Sequence, residues 1–388
     1  MKICAIIAEY NPFHLGHLKH IEYVKNELKA EKIIVVMSGD FTQRGEIAVM
    51  DKFTRAKHAV SAGADAVIEL PTVFATANAE YFAKGAINLI AGLGADAICF
   101  GVESGETKDY VDLATALNSE SKEFKKALKE ELASGVSLAK AKFEALKKTG
   151  TEFDEKLISS PNNVLGIEYV KAILKSGKNI EIYPMMRGGD HNDKTLKKGI
   201  TSATSIREQI KTGIFKKLKK CMPTFSFADV KTYPTAFDKL CLAEVLIASA
   251  DDLGKICDCT EGLNNRIKAL SNENRTIDEL VERVSTKRYT MARIRRILTA
   301  NVLKIDKDFL DECANAKLYA KVLAVKDSGK DVLNILSENS EIPLITRKSD
   351  LNKLNKLAEK CYEKDVLANS IYNLVSDRKD NENLTLFV

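Results

Sequence analysis

The stretch from Lys2 to His20, KICAIIAEYNPFHLGHLKH, restricts the fold of this chain more than any other. Ile3 to Ala8 is a continuous apolar run, the pattern of a strand buried on both faces of a parallel sheet. Asn11-Pro12 ends it, and Leu18, Ile21, Val24 and Leu28 then recur at helical spacing. His14-Leu15-Gly16-His17 therefore falls where a strand turns into the first turn of a helix. Free backbone N–H groups and the positive end of the helix dipole converge there, Gly16 lets a ligand approach the backbone, and two imidazoles add donors. That combination suits phosphoryl oxygens. A satisfied histidine pair or half of a metal site fits the same residues. However, His14, His17 and His20 are three of only five histidines, and a metal reading lacks the further ligand nearby that a catalytic zinc takes. No metal residue is assigned.

The apolar runs Lys32 to Ser38, Ala66 to Leu70, Ala95 to Gly101 and Lys178 to Met185 repeat the first strand's pattern, with helical stretches between them. Such alternation predicts an α/β fold: a Rossmann-like domain with a parallel sheet over residues 1–210, its ligand at the carboxyl ends of the strands. A charged helical insertion, expected as a solvated helix pair, interrupts it at about 106–150. A mainly helical C-terminal region follows over 211–388, with helices at Ala236 to Ala250 and Ile277 to Leu303. Leu318 to Val325 and Ile342 to Thr346 flank a further helix as a small βαβ piece.

Composition adds three exclusions. The N-terminus runs straight into a strand without a cleavable leader, and no apolar run approaches the roughly 20 residues that span a bilayer, so no membrane contact and a cytoplasmic location are expected. Eight cysteines scattered through apolar settings read as reduced thiols rather than a disulfide framework, and Cys257-Asp258-Cys259 alone is weak evidence for metal. Residues 1–200 carry 27 Lys+Arg and 27 Asp+Glu, leaving 32 and 27 for residues 201–388. The excess positive charge thus lies in the C-terminal half, which favours a polyanion larger than a nucleotide.

The strand ends supply polar loops. Ser38 to Glu46, SGDFTQRGE, gathers Asp40, Gln43, Arg44 and Glu46 between two glycines, and their roles stay open. Gly101 to Gly105 follows the fourth strand. Ser159 to Asn163 precedes a helix, its doubled asparagines suited to an adenine edge or ribose. Arg187 to Asp193 and then Ile200 to Arg207, a hydroxyl cluster before a helix with an arginine on its first turn, read as a second phosphate clamp.

Together these motifs resemble the nucleotidyltransferase and class I synthetase superfamily. More narrowly, IIAEYNPFHLGH, SGDFTQRGE, FGVESG, SPNNVLGIEY, TSATSIRE and TKRYTMARIRRIL, in this order over nearly the whole chain, resemble the tRNA(Met) cytidine acetate ligase family. The resemblance implies a nucleotidyltransferase domain that activates acetate with ATP to acetyl-adenylate and then acetylates N4 of the wobble cytidine of elongator tRNA(Met). It places ATP on Ile7, Ala8, Glu9, Tyr10, Asn11, Pro12, Phe13, His14, Leu15, Gly16, His17, Leu18, Lys19, His20, Gly101, Asn162 and Arg187, with Ser202 and Thr204 added from the hydroxyl turn. That turn reads TSAT at 201–204, where the superfamily usually reads ISST. His14, His17 and Arg207 are the expected catalytic groups, donors where charge develops on the α-phosphate. Mg²⁺ is expected to arrive with ATP, since phosphoryl transfer usually takes it and the sequence holds no dedicated cage.

For RNA, Arg283 to Lys304 is basic and free of acidic residues. Read as an amphipathic helix, it turns Met291, Ile294, Leu298 and Val302 inward and leaves Lys287, Arg288, Arg293, Arg295 and Arg296 to face phosphates, with Tyr289 free to stack on a base. Lys211 to Lys220 is a second basic run. Two other classes compete with the leading reading: a small-molecule adenylyltransferase or pantothenate-synthetase-like ligase, which the HxGH core alone allows, and a non-catalytic tRNA-binding protein. Acetate-dependent ATP–pyrophosphate exchange, repeated with tRNA, separates all three.

Overall fold

The computed structural model describes residues 2–119, 121–136, 138–187, 201–231, 233–379, 381–382 and 384–388. Gly188 to Asp193 and Ile200, parts of the expected clamp, lie outside the described residues.

Five strands, β1 (Ile3–Ala8), β2 (Lys32–Ser38), β3 (Ala66–Leu70), β4 (Ala97–Val102) and β5 (Glu181–Met186), pair in parallel in the order β5-β4-β1-β2-β3. The order reverses at β1, between β4 and β2, so a crevice opens at the carboxyl ends of β1 and β4. Near-continuous burial of β1 to β4 explains their unbroken apolar runs. On one face α1 (Leu15–Asn26) and α2 (Lys52–Ser61) pack Ile21, Val24 and Ala56 against Ile6 and Val35. On the other, α3 (Ala79–Gly92) and α4 (Pro161–Ser176) pack Phe82, Ile87, Ile167 and Val170 over Ile98 and Phe100.

The insertion differs from the expected solvated pair. It forms three helices, Thr107–Ser119, Lys122–Ala133 and Leu138–Lys148, and the first buries Tyr110, Leu113, Ala114 and Leu117. Its apolar stripe was masked in the sequence by the interleaved charge on its outer face.

Helix α5 (Ala203–Lys211) runs up to the expected boundary at 210, and residues beyond it supply α6 (Met291–Leu303), α7 (Lys356–Ser376) and three short strands, β6 (Ala320–Val325), β7 (Leu344–Ile345) and β8 (Leu386–Phe387). The single helix expected over Ile277 to Leu303 is broken into Ile277–Val284 and α6, because Thr290 takes an extended conformation and caps Arg293 N–H. The expected βαβ piece is present, and β6 joins β3 antiparallel, so the second half extends the first half's sheet. A buried charge cluster lies at that junction. Lys52 Nζ reaches both Glu69 oxygens at 2.8 and 2.9 Å and Glu382 at 2.6 Å, while Lys321, the register partner of Glu69 on β6, contacts Glu69 and Glu382. Burial and the neighbouring Lys52 lower the Lys321 pKa to about 7, and its contacts with Glu69 and Glu382 tie the β3–β6 register to this buried cluster.

Candidate active site

The start of α1 is built from its own histidines. His14 takes extended backbone at the N-cap, and its Nδ1 accepts the Gly16 N–H at 3.0 Å; His17 Nδ1 accepts the His14 N–H at 3.2 Å. The two imidazoles form a capping box in which they replace the usual hydroxyl and carboxylate. The rings stack at 3.7 Å. Burial, then His14, Arg187 and His20, hold the His17 pKa well below the usual histidine value. His17 is therefore neutral near pH 7, and with Nδ1 accepting, its proton sits on Nε2 as a donor. His20 is also neutral, pushed down to about 4 by burial and Arg187, with Nε2 at 3.2 Å from Cys99 Sγ.

A cavity of about 410 Å³ opens at the switch point of the sheet. Of the residues expected to hold ATP, Ile7, Ala8, Glu9, Tyr10, Asn11, Gly16, His17, Lys19, His20, Gly101, Asn162 and Arg187 line it. Pro12, Phe13, His14, Leu15 and Leu18 do not; Phe13 is fully buried, and His14 stands behind His17. Gly101 is required as glycine, since a Cβ there would meet Arg187 Cδ at 2.7 Å. Asn162 donates to Glu103 at 2.5 Å, while Asn163 is an entirely internal brace bonded to Glu103 N, Ser104 Oγ and Lys156 O.

The hydroxyl turn 201–205 is mostly local architecture. Ser202 caps α5 by accepting the Ser205 N–H at 3.1 Å, and Thr204 accepts from Arg207 at 3.3 Å; neither lines the cavity, though Ala203 and Arg207 do. Arg207 is buried, donates to Asn11 O at 2.8 Å and lies 3.9 Å from Glu46. Burial lowers both Arg187 and Arg207 from the usual arginine value, yet a guanidinium stays charged at any working pH. The lining carries Lys19, Arg44, Arg187 and Arg207 against one carboxylate, Glu9. An excess of cations with a helix N-terminus fits nucleotide phosphates.

The polar loop after β2 divides into frame and rim. Asp40 is frame: it accepts from Lys52 N and Asn369 and is 1% exposed. Gln43 and Arg44 are rim, and the Gln43 N–H donates to Glu9 Oε1 at 2.8 Å. Arg55, fully buried, fixes the ends of β1 and β2 by donating to the carbonyls of Glu9, Ser38, Gly39 and Met50. Four further lining residues, Phe82, Phe100, Leu165 and Tyr169, escaped the sequence reading. The available signal was the spacing of Asn162, Leu165 and Tyr169, which share one face of α4.

The basic helix α6 is less open than expected. Arg293 donates to Asp258 O at 2.8 Å and Thr260 at 3.0 Å; Arg295 pairs with Asp278 and approaches Glu46 at 4.0 Å; Arg296 pairs with Asp258 at 3.4 Å; Arg288 pairs with Glu261. Tyr289 bonds Glu261 O and has Arg293 over its ring. Met291, expected inward, is exposed, whereas Ile294, Leu298 and Val302 are buried. Lys287 alone of the five cations is exposed without a partner among the described residues.

A second cavity, of about 320 Å³ between α3 and the segment Ala314 to Tyr319, has its lysines tied to Asn315 and Glu341. Among the described residues no group of three His, Cys, Asp or Glu side chains is placed to hold a metal, and no helix is long and apolar enough to cross a membrane.

Residues 1–385 match the family model for HIGH nucleotidyl transferases. The tRNA(Met) cytidine acetate ligase of Thermoanaerobacter sp. (strain X514) is 39% identical over 385 residues, spanning 96% of this chain and 95% of that protein. That of Clostridium perfringens (strain SM101 / Type A) is 36% identical over 391 residues, spanning 97% and 96%. Crystal structures of Thermotoga maritima TmcAL superpose over the whole of both chains, the apo form I with a TM-score of 0.94 at 30% identity and form II, bound with alpha-thio ATP, with 0.91 at 29%. Strand order, imidazole-capped helix and full-length similarity agree: the chain belongs to the HIGH nucleotidyl transferases and, among them, to the tRNA(Met) cytidine acetate ligase family.

Proposed function

We infer that this protein is an ATP-dependent ligase that activates acetate as acetyl-adenylate and acetylates N4 of the wobble cytidine of elongator tRNA(Met), in the cytoplasm. The observation that carries this reading is the neutral His17 on the capped start of α1, beside a cavity with four cations on its lining. In the first step an acetate oxygen bonds to the α-phosphorus, the bond from the α-phosphorus to the α–β bridging oxygen breaks, and pyrophosphate leaves with that oxygen and its electron pair. Charge grows on the α-phosphoryl oxygens, where His17 Nε2–H, the α1 N–H groups, Arg187 and Arg207 supply fixed donors. His14 holds the turn and aligns the His17 ring. Bound with the polyphosphate, Mg²⁺ would supply counter-charge to the departing pyrophosphate. In the second step the cytidine N4 bonds to the acyl carbon and gives up a proton, while the acyl–oxygen bond to AMP breaks.

For the RNA, the structure favours Lys216–Lys220 over α6. Lys216, Lys217, Lys219 and Lys220 are exposed on a short turn with no carboxylate partner among the described residues. That turn is anchored beside the site, since the Leu15 N–H donates to Cys221 O at 3.0 Å and Ser226 to Phe13 O at 2.8 Å. The test is acetate-dependent ATP–pyrophosphate exchange followed by acetyl transfer to tRNA. His17→Ala and His14→Ala, checked for folding, should each lose about 100-fold to 1,000-fold in exchange. Near-normal exchange by folded His17→Ala removes the proposed role.

A further inference from the structure

The nucleotide-facing residues leave one side of the cavity unexplained. There α4 presents Leu165 and Tyr169, four residues apart on one face, and Phe82 of α3 and Phe100 of β4 complete an apolar wall. Tyr169 and Phe100 pack edge to face with centroids 5.6 Å apart, and Phe82, Phe100 and Tyr169 are all at least nine-tenths buried. Three packed aromatics make a rigid surface.

A single polar atom interrupts this wall. The Tyr169 hydroxyl has no hydrogen-bond partner among the described residues, although Tyr169 is 5% exposed, and it is not sealed in the core. The ring is buried while the hydroxyl reaches the cavity, so a ligand or solvent there can take its hydrogen bond. Its electrostatic neighbour is the Glu9 carboxylate, whose presence joins burial in raising the phenol's pKa, so the hydroxyl stays protonated and is a donor. Glu9 Oε1 is held by the Gln43 N–H, and Arg44 and Arg207 line the same cavity. The rim therefore offers donors and net positive charge around an apolar surface, the complement of a small carboxylate with a short alkyl tail.

We propose that the cavity contains an acid subsite separate from the nucleotide's, in which Tyr169 donates to the acid's carboxylate and Leu165, with Phe82, sets the length of its alkyl end. This rests on reading the cavity as the place where an acyl-adenylate forms. Longer acids are refused because their added methylenes meet Leu165 and Phe82, backed by the α3–α4 core.

The experiment is steady-state ATP–pyrophosphate exchange with acetate, propionate and butyrate, on wild type, Tyr169→Phe and Leu165→Ala, with folding checked by thermal melting. Tyr169→Phe should raise the KM for acetate about three- to tenfold, the effect of one lost hydrogen bond, while the KM for ATP stays put. Leu165→Ala should raise the propionate-to-acetate ratio of kcat/KM at least tenfold. If both variants instead raise the KM for ATP, the wall faces the nucleotide base and the proposal falls. It falls equally if both keep wild-type acetate KM and acid preference. A wild type without acetate-dependent exchange would overturn the underlying acyl-adenylate reading itself, a result distinct from either variant outcome.

Discussion

Two basic segments of this chain look alike in sequence and are opposite in the fold. Lys216–Lys220 is a short turn whose lysines project from Leu218, their buried anchor, into solvent. The arginines of α6 are half-buried and spent on Asp258, Asp278, Glu46 and Thr260. The helix does something else with its position. Thr299 donates to Gly45 O at 2.9 Å, Arg295 approaches Glu46, and Gly45 at φ +69° lies so close that a Cβ would collide with the backbone of Arg295 and Arg296. Helix α6 thus braces the loop that carries Gln43 and Arg44 to the cavity. Cations that close onto carboxylates stabilise a local shape; cations left open are available to a polyanion, at the cost of self-repulsion.

This contrast makes the triple replacement of Arg293, Arg295 and Arg296 by Ala the largest expected effect. Removing them leaves Asp258 and Glu46 poorly compensated and unseats the loop, so stability should fall by about 2–4 kcal/mol and exchange and tRNA acetylation should fall together. A stable triple variant that loses only tRNA acetylation would break the contrast and return the RNA to α6. Gly45→Ala tests the bracing without touching a charge. A left-handed φ and a backbone collision should cost about 2 kcal/mol and lower exchange, read by melting and kinetics on one preparation.

Lys216, Lys217, Lys219 and Lys220 replaced together by Ala should change stability by less than about 0.5 kcal/mol. Exchange should persist, while the salt slope of tRNA binding drops by about three, at 0.7 to 0.9 per contact. An unchanged slope would mean that the open lysines are only a solvated face. The smallest effect concerns the histidines of the α1 turn. His20 titrates near 4 in the fold, and His17 is also lowered, against about 6.5 unfolded. The unfolded chain therefore takes up protons first, and stability present above pH 6.5 declines as pH falls towards 4. Urea melts between pH 7 and 4.5 should show that slope, reduced in His20→Gln. NMR titration should show His20 unprotonated at pH 5.5; a histidine charging there near its ordinary pKa would contradict the burial of this turn.

Much of this architecture is written locally. The buried strands β1 to β4 appear as unbroken apolar runs, and the start of α1 as a turn with HxGH, because periodicity and capping act within a few residues. That Gly16 and His17 stand together at this turn, on the cavity, was legible for the same reason. Arg207 was legible as an arginine near a helix start, though the helix begins at Ala203 and places it just past the first turn, and its bond to Asn11 O nearly 200 residues away was not legible. Other assignments depended on partners distant in sequence. Nothing near Arg295 announces Glu46, nothing near Glu69 announces Lys321 on an added antiparallel strand, and Tyr169 reads as an ordinary helix residue until Phe82 and Phe100 stand beside it. Sequence by itself determined which segments form strands, helices and an anion-binding turn. The tertiary structure decided which cations are neutralised and which hydroxyl faces a cavity, because pairing and desolvation are properties of atoms brought together by packing, not of neighbours along the chain.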